Sequence, residues 1–170
     1  MENILLLIVL IICTITDIKS RKILNIVTFP AILLGFLYYL LINGFDGFLF
    51  SGKGFLVGLG VLFIPFVMGG IGAGDVKLMA AIGTMKGAFF VFYAFLYAAI
   101  VGGLIALFII IRRKDVKGFF ARITNSVLLL SLNKRKESVQ VSNRDLAPSF
   151  PYGVAIAIGT VAMMFMEGRI

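Results

Sequence analysis

At 170 residues the chain has the length of one domain, yet 61% of it is hydrophobic and only 14% charged, with a mean hydropathy of +1.08. A soluble domain carries about a quarter charged residues, and a water-soluble core of ordinary size would leave large apolar patches uncovered, so the solvent expected here is a lipid bilayer. The absence of histidine removes the usual general base and the usual metal ligand, and the lone Cys13 excludes an internal disulfide or a zinc-binding cysteine pair. No metal and no cofactor is expected.

The first apolar run, 4–18, follows only Met1, Glu2 and Asn3 and is followed by Lys19, Arg21 and Lys22. A cleavable signal peptide places its positive charge ahead of the apolar stretch, so this run reads as a permanent span with its start outside. A second span is expected at 23–42, interrupted by Asn25, Thr28 and Pro30, and a third, rich in glycine, at 55–71. The segment 75–86 is too short, at about 1.5 Å per residue, to cross a hydrocarbon core of about 30 Å. It reads as a short or tilted helix inside the bundle, with a re-entrant piece beside five spans as the alternative. The segment 89–111 carries no charge and is the clearest span; 150–166 is the last.

Between them lies a long loop, 112–147, in which Phe119, Phe120, Ile123, Val127 and Leu130 recur at helical spacing beside Arg122 and Asn125. That pattern predicts an amphipathic helix on the headgroups. The fold class expected is an all-α integral membrane protein, one domain built as a bundle of about six transmembrane helices, one of them short. With the N-terminus outside, only Lys53, Lys86 and Arg169 of the sixteen basic residues fall outside, a strong positive-inside bias. The net charge of +8 is thereby accounted for by basic cytoplasmic loops, and no nucleic-acid-binding motif accompanies it.

Of the eight acids, Glu2, Asp46, Asp115, Glu137, Asp145 and Glu167 fall in loops or near chain ends. Asp17 closes the first span, and Asp75 follows Gly72-Ala73-Gly74 and leads into an apolar helix. Taken alone, Asp17 reads equally as a juxtamembrane partner of Lys19 or Arg21, and Asp75 as the cap of the helix that follows it. Together they lie at one depth, near the cytoplasmic face, on separate helices. An ionisable group at helix depth costs about 2.5 to 3.5 kcal/mol on insertion scales and so usually has a pairing or functional reason. Two carboxyls that face each other cannot both ionise cheaply and share a proton. One can then take a proton from water while the other donates to a peptide carbonyl, which is amide hydrolysis without metal, serine or cysteine. Cys13 may share the helix face of Asp17 but has no histidine to activate it and reads as a small apolar residue. A rival from another class is a proton- or cation-coupled transporter using Asp17 and Asp75 as relay groups.

Three blocks of this sequence resemble the type IV prepilin peptidases, which are GxGD intramembrane aspartyl proteases. Gly72-Ala73-Gly74-Asp75-Val76-Lys77 matches the signature motif; Asp17-Ile18-Lys19-Ser20-Arg21-Lys22-Ile23-Leu24-Asn25 resembles the first motif, with Leu24 where a proline is usual; Pro151-Tyr152-Gly153-Val154-Ala155-Ile156-Ala157 resembles the closing motif. The resemblance implies that Asp17 and Asp75 are the catalytic pair at the cytoplasmic face, supported by Gly72, Gly74, Lys77, Asn25, Pro151, Tyr152 and Gly153. It implies a prepilin substrate with a short basic leader, cut after a glycine just before its apolar helix, and the pilus assembly machinery as a possible partner. The chain is similar to the short peptidases of tight-adherence (Flp-type) pili. It lacks the N-terminal cysteine-bearing region of the larger members, so methyltransferase activity is not expected. Lys77 reads in two ways, as a tuner of Asp75 or as a side chain snorkelling to the surface.

Overall fold

The computed structural model describes residues 2–68, 70–113 and 152–168. Among these residues there are four helices and no strand: α1 (Glu2–Ser20), α2 (Asn25–Val67), α3 (Ala73–Arg113) and α4 (Tyr152–Glu167). The first three are long and apolar enough to cross a membrane. The amphipathic helix expected in the loop 112–147 lies outside the described residues, apart from Arg112 and Arg113, which close α3.

A straight helix of the 43 residues in α2 would be about 65 Å long, twice the thickness of a bilayer core. It does not run straight. Gly44 sits at φ 60°, ψ −138° inside the helix, a backbone region open in practice only to glycine. Beyond it the chain doubles back. Phe36 and Phe48 come to 5.3 Å between ring centroids, Tyr39 and Phe50 to 4.8 Å, and the Ser51 Oγ reaches the Gly35 carbonyl at 3.3 Å. The returning half begins at Phe45, well ahead of the apolar run at 55–71, so residues 45–54 continue a helix where the composition suggested a connecting loop. The expected segments 23–42 and 55–71 both fall in α2, and 75–86 and 89–111 both fall in α3.

α3 bends in the same way at Gly87, with φ 82° and ψ 175°. A Cβ there would run into the Phe50 ring. Its first half is the centre of the bundle: Val76, Leu78, Met79, Ala80, Ala81, Ile82 and Met85 are all buried. The backbones around it approach closely because glycine and alanine line the contacts. A Cβ on Gly54 would strike the Gly83 carbonyl, one on Gly83 the Gly54 carbonyl, and one on Gly58 the Met79 carbonyl. In α4, Gly159 sits in the same way against Ala94 and Ala98. Small residues are what allow helices to pack in lipid, where no hydrophobic force drives them together. Ser51 adds a hydroxyl bond across this seam, its Oγ donating to the Thr84 carbonyl at 2.9 Å, while the Thr84 hydroxyl bonds back within α3 to the Ala81 carbonyl at 2.7 Å.

The outside of the bundle is dressed for lipid. Ile4, Leu33, Leu41, Ile64, Phe89 and Leu104 are large apolar side chains mostly exposed. One end of the bundle is tied by Tyr39, whose hydroxyl lies 2.7 Å from a Glu2 carboxylate oxygen and 3.0 Å from the Met85 carbonyl, and by the Lys86–Glu167 ion pair at 2.9 Å. The other end gathers the C-terminus of α1 and the N-termini of α2, α3 and α4.

The glycine seam yields a graded expectation. Gly54→Ala and Gly83→Ala each force two backbones apart and should destabilise the protein by about 1 to 3 kcal/mol, measured as a fall of several degrees in its melting temperature in detergent. Gly60→Ala, where an added Cβ meets nothing within 4 Å, should melt at the wild-type temperature.

Candidate active site

Asp17 lies in the last turn of α1. The helix ends just past it because Arg21 takes a left-handed conformation, φ 50°, and its N–H donates to the Asp17 carbonyl at 2.8 Å, a single-bond helix stop. The chain then crosses residues 21–24 and enters α2 at Asn25. Asp17 is only 6% exposed, so its carboxylate cannot rely on bulk water. It accepts instead from the backbone: the Gly153 N–H, at the start of α4, donates to Asp17 Oδ2 at 2.9 Å. Glycine is required for this approach, since a Cβ on Gly153 would stand 2.7 Å from the same oxygen.

Asp75 lies in the first turn of α3 and is 8% exposed. Its Oδ2 accepts the Gly72 N–H at 3.2 Å, and its own N–H donates to the Gly72 carbonyl at 3.1 Å. This is the reach-back half of a capping box, with the acid at the third helical position rather than at the cap itself. The capping interpretation of Asp75 is therefore correct for one oxygen. The other, Oδ1, is buried with no hydrogen-bond partner among the described residues, a state shared by the Thr14 and Thr28 hydroxyls. Buried polar atoms in native proteins are nearly always satisfied, so an orphaned carboxylate oxygen calls for an explanation.

The two acids lie at the same end of the bundle: Gly74, the residue before Asp75, abuts Ile23 of the turn that follows Asp17. Tyr152, which precedes the Gly153 N–H that holds Asp17, packs its ring on Gly102, where a Cβ would stand 2.9 Å from a ring carbon. Asp75 and Gly102 lie 27 positions apart in one helix, so the two halves of α3 return to the same end of the bundle.

The remaining residues singled out in the sequence fall around this pair. Gly74 abuts Ile23, where a Cβ would come within 2.8 Å of the Ile23 Cβ. Lys77 Nζ donates to Asn25 Oδ1 at 2.9 Å and stands 5.1 Å from the Phe29 ring centroid. Gly72, Gly74, Asn25, Lys77, Tyr152 and Gly153 thus all meet at the end of the bundle that holds the acids, and Pro151 lies outside the described residues. The contacts of Ile23 and Gly102 were not singled out beforehand. Ile23 falls inside the first motif, but Gly102 is one of two adjacent glycines in an unbroken apolar run, and nothing local separates it from Gly103, which has open space around it.

Cys13 is fully buried, as expected of a small apolar residue. No cluster of acidic, cysteine or histidine side chains among the described residues could hold a metal ion.

Asp75→Asn keeps a carbonyl oxygen that can accept the Gly72 N–H, whereas Asp75→Ala does not. Asp75→Ala should therefore cost about 0.5 to 2 kcal/mol in stability through the lost cap, while Asp75→Asn should melt closer to wild type, as followed by thermal denaturation in detergent. Asparagine is accordingly the substitution with which to probe chemistry at this position.

A family model described as the type IV leader peptidase family matches residues 4–107, more than half of the chain and inclusive of both acids. No curated protein and no solved structure matches significantly.

Proposed function

The chain belongs to the type IV leader peptidase family, and from that premise we propose that it is a membrane-embedded aspartyl endopeptidase whose catalytic pair is Asp17 and Asp75. Its substrate is a type IV prepilin of the Flp-like kind, cut at the cytoplasmic face after a glycine that separates a short basic leader from an apolar helix. The observation that carries this reading is the placement of two buried acids, one from α1 and one from α3, at one end of an otherwise apolar bundle. One oxygen of each is anchored by a backbone N–H, and Asp75 Oδ1 has no competing partner among the described residues.

The chemistry follows from that arrangement. The pair shares one proton. The ionised carboxyl removes a proton from a water molecule as the water oxygen bonds to the scissile carbonyl carbon, and the protonated carboxyl donates to the carbonyl oxygen. When the tetrahedral intermediate collapses, the C–N bond breaks and the departing amine takes up a proton, leaving a free leader carboxylate and a new pilin N-terminus. The fixed N–H donors hold each carboxyl in place, so that little reorganisation accompanies the transfer of charge. No step in this sequence transfers a methyl group.

The topology belongs to the same proposal. Each of α2 and α3 makes two crossings about its glycine bend, giving six with α1 and α4, the N-terminus outside and the acids inside. Asp46 lies just past the Gly44 bend and is exposed, and Cys13 is too buried to react. An impermeant maleimide should therefore label Asp46→Cys on intact cells; labelling that requires lysis would reverse the orientation.

Asp17→Asn and Asp75→Asn should each abolish processing of a co-expressed prepilin, read as loss of the mass shift at the leader glycine, with the protein still in the membrane. Cleavage retained by either variant would remove the dyad. Gly153→Ala, which pushes a methyl group into Asp17 Oδ2, should lower processing at least tenfold, since misplacing a reacting group by about 1 Å can cost about a hundredfold.

A further inference from the structure

We propose that Lys77 is a positioning residue that acts through Asn25: its hydrogen bond to the Asn25 side chain braces the turn that follows Asp17 against the helix that begins at Asp75. This rests on the reading of Asp17 and Asp75 as the catalytic pair and adds the device that keeps them in register.

The two acids have no covalent route shorter than the whole of α2. Their relative position depends on how the turn at residues 21–24 sits on the first turn of α3. Two described contacts tie that junction directly. Gly74 takes the Ile23 side chain against its bare backbone, and Lys77 Nζ donates to Asn25 Oδ1 at 2.9 Å. Asn25 begins α2 immediately after the turn, and Lys77 lies two residues past Asp75. The brace therefore spans the turn from Asp17 on one side to the acid on the other.

The ammonium is held from two sides. Besides Asn25, it sits over the Phe29 ring at 5.1 Å from the centroid. Phe29 lies four residues after Asn25, on the same face of α2. Hydrogen bond and cation–π contact thus act on one helix. Among the described residues Lys77 makes no ion pair with either acid. A lysine two positions from a carboxylate invites the idea that its charge sets the acidity of that carboxylate. Here the side chain is bonded to Asn25 and sits over Phe29 of the neighbouring helix.

The two roles separate in kinetics. Purified protein in detergent is given a synthetic peptide made of a basic leader, a glycine and an apolar helix, and cleavage is followed across pH. Lys77→Met and Asn25→Leu should each lower kcat about 10- to 100-fold, the range expected when reacting groups are misplaced by about 1 Å, with KM little changed and the pH profile keeping its shape. The double variant should be no worse than either single one, because both remove the same contact. Asn25→Asp, which keeps an oxygen acceptor for Lys77, should recover most of the loss seen in Asn25→Leu. A pH profile displaced by Lys77→Met, or losses that multiply in the double variant, would overturn the brace. So would an Asn25→Leu variant as active as wild type. Should Lys77→Met fail to reach the membrane, the contrast between Asn25→Leu and Asn25→Asp decides alone. Asp17→Asn and Asp75→Asn run in the same assay keep the two claims apart: cleavage by either refutes the dyad, whereas their inactivity beside an unaffected Asn25→Leu refutes only the brace.

Discussion

A carboxyl group at the end of an apolar bundle persists only where something donates to it, and at both acids of this protein that donor is a backbone amide. The Gly153 N–H meets Asp17 and the Gly72 N–H meets Asp75. Isolated carboxylates in a low-dielectric site are costly, and side-chain cations would satisfy them only by neutralising them as ion pairs. A backbone N–H supplies a fixed dipole without adding a counter-charge. It also requires the backbone to come close, which explains why a glycine stands at each donor. Lys77, two residues past Asp75, is occupied with Asn25 and Phe29.

The same closeness of approach organises the scaffold. Lipid provides no hydrophobic incentive for helices to associate, so packing must come from contact at short range. Gly54, Gly58 and Gly83 let the returning half of α2 lie directly on the first half of α3, and Gly159 does the same for α4 on the second half of α3. α3 is thereby held from both sides, with most of its first half buried and Asp75 at its beginning. A short helix that could not cross a bilayer unaided is stable here because other helices, rather than lipid, surround it.

Much of the site could be recognised from residue order. Asp17 and the Gly72–Asp75 unit stand out because an acid at helix depth conflicts with the apolar pattern around it, whereas Gly153 is marked only by the resemblance of its block to a closing motif. The pairing of Asn25 with Lys77 could not be read off, since residues 52 positions apart become neighbours only through the folding of α2. Gly102 and Gly103 are indistinguishable in the sequence, yet only the first has Tyr152 against it. The expected break between the second and third apolar segments was misplaced for a related reason. Composition marks where a helix is apolar, and residues 45–54 are helical while carrying glycines, Asp46 and Lys53.

By itself the sequence determined the solvent, the helical class and the two acids, because hydropathy and the presence of a charge are properties of residues taken in order. Tertiary structure alone decided which backbone N–H meets each acid, which glycine faces which carbonyl and what Lys77 contacts. Those outcomes depend on two bends, at Gly44 and Gly87, each made by one residue in a backbone region that side-chain-bearing residues rarely enter. A bend of that kind sets which distant stretches of chain lie side by side, and no local pattern carries that information.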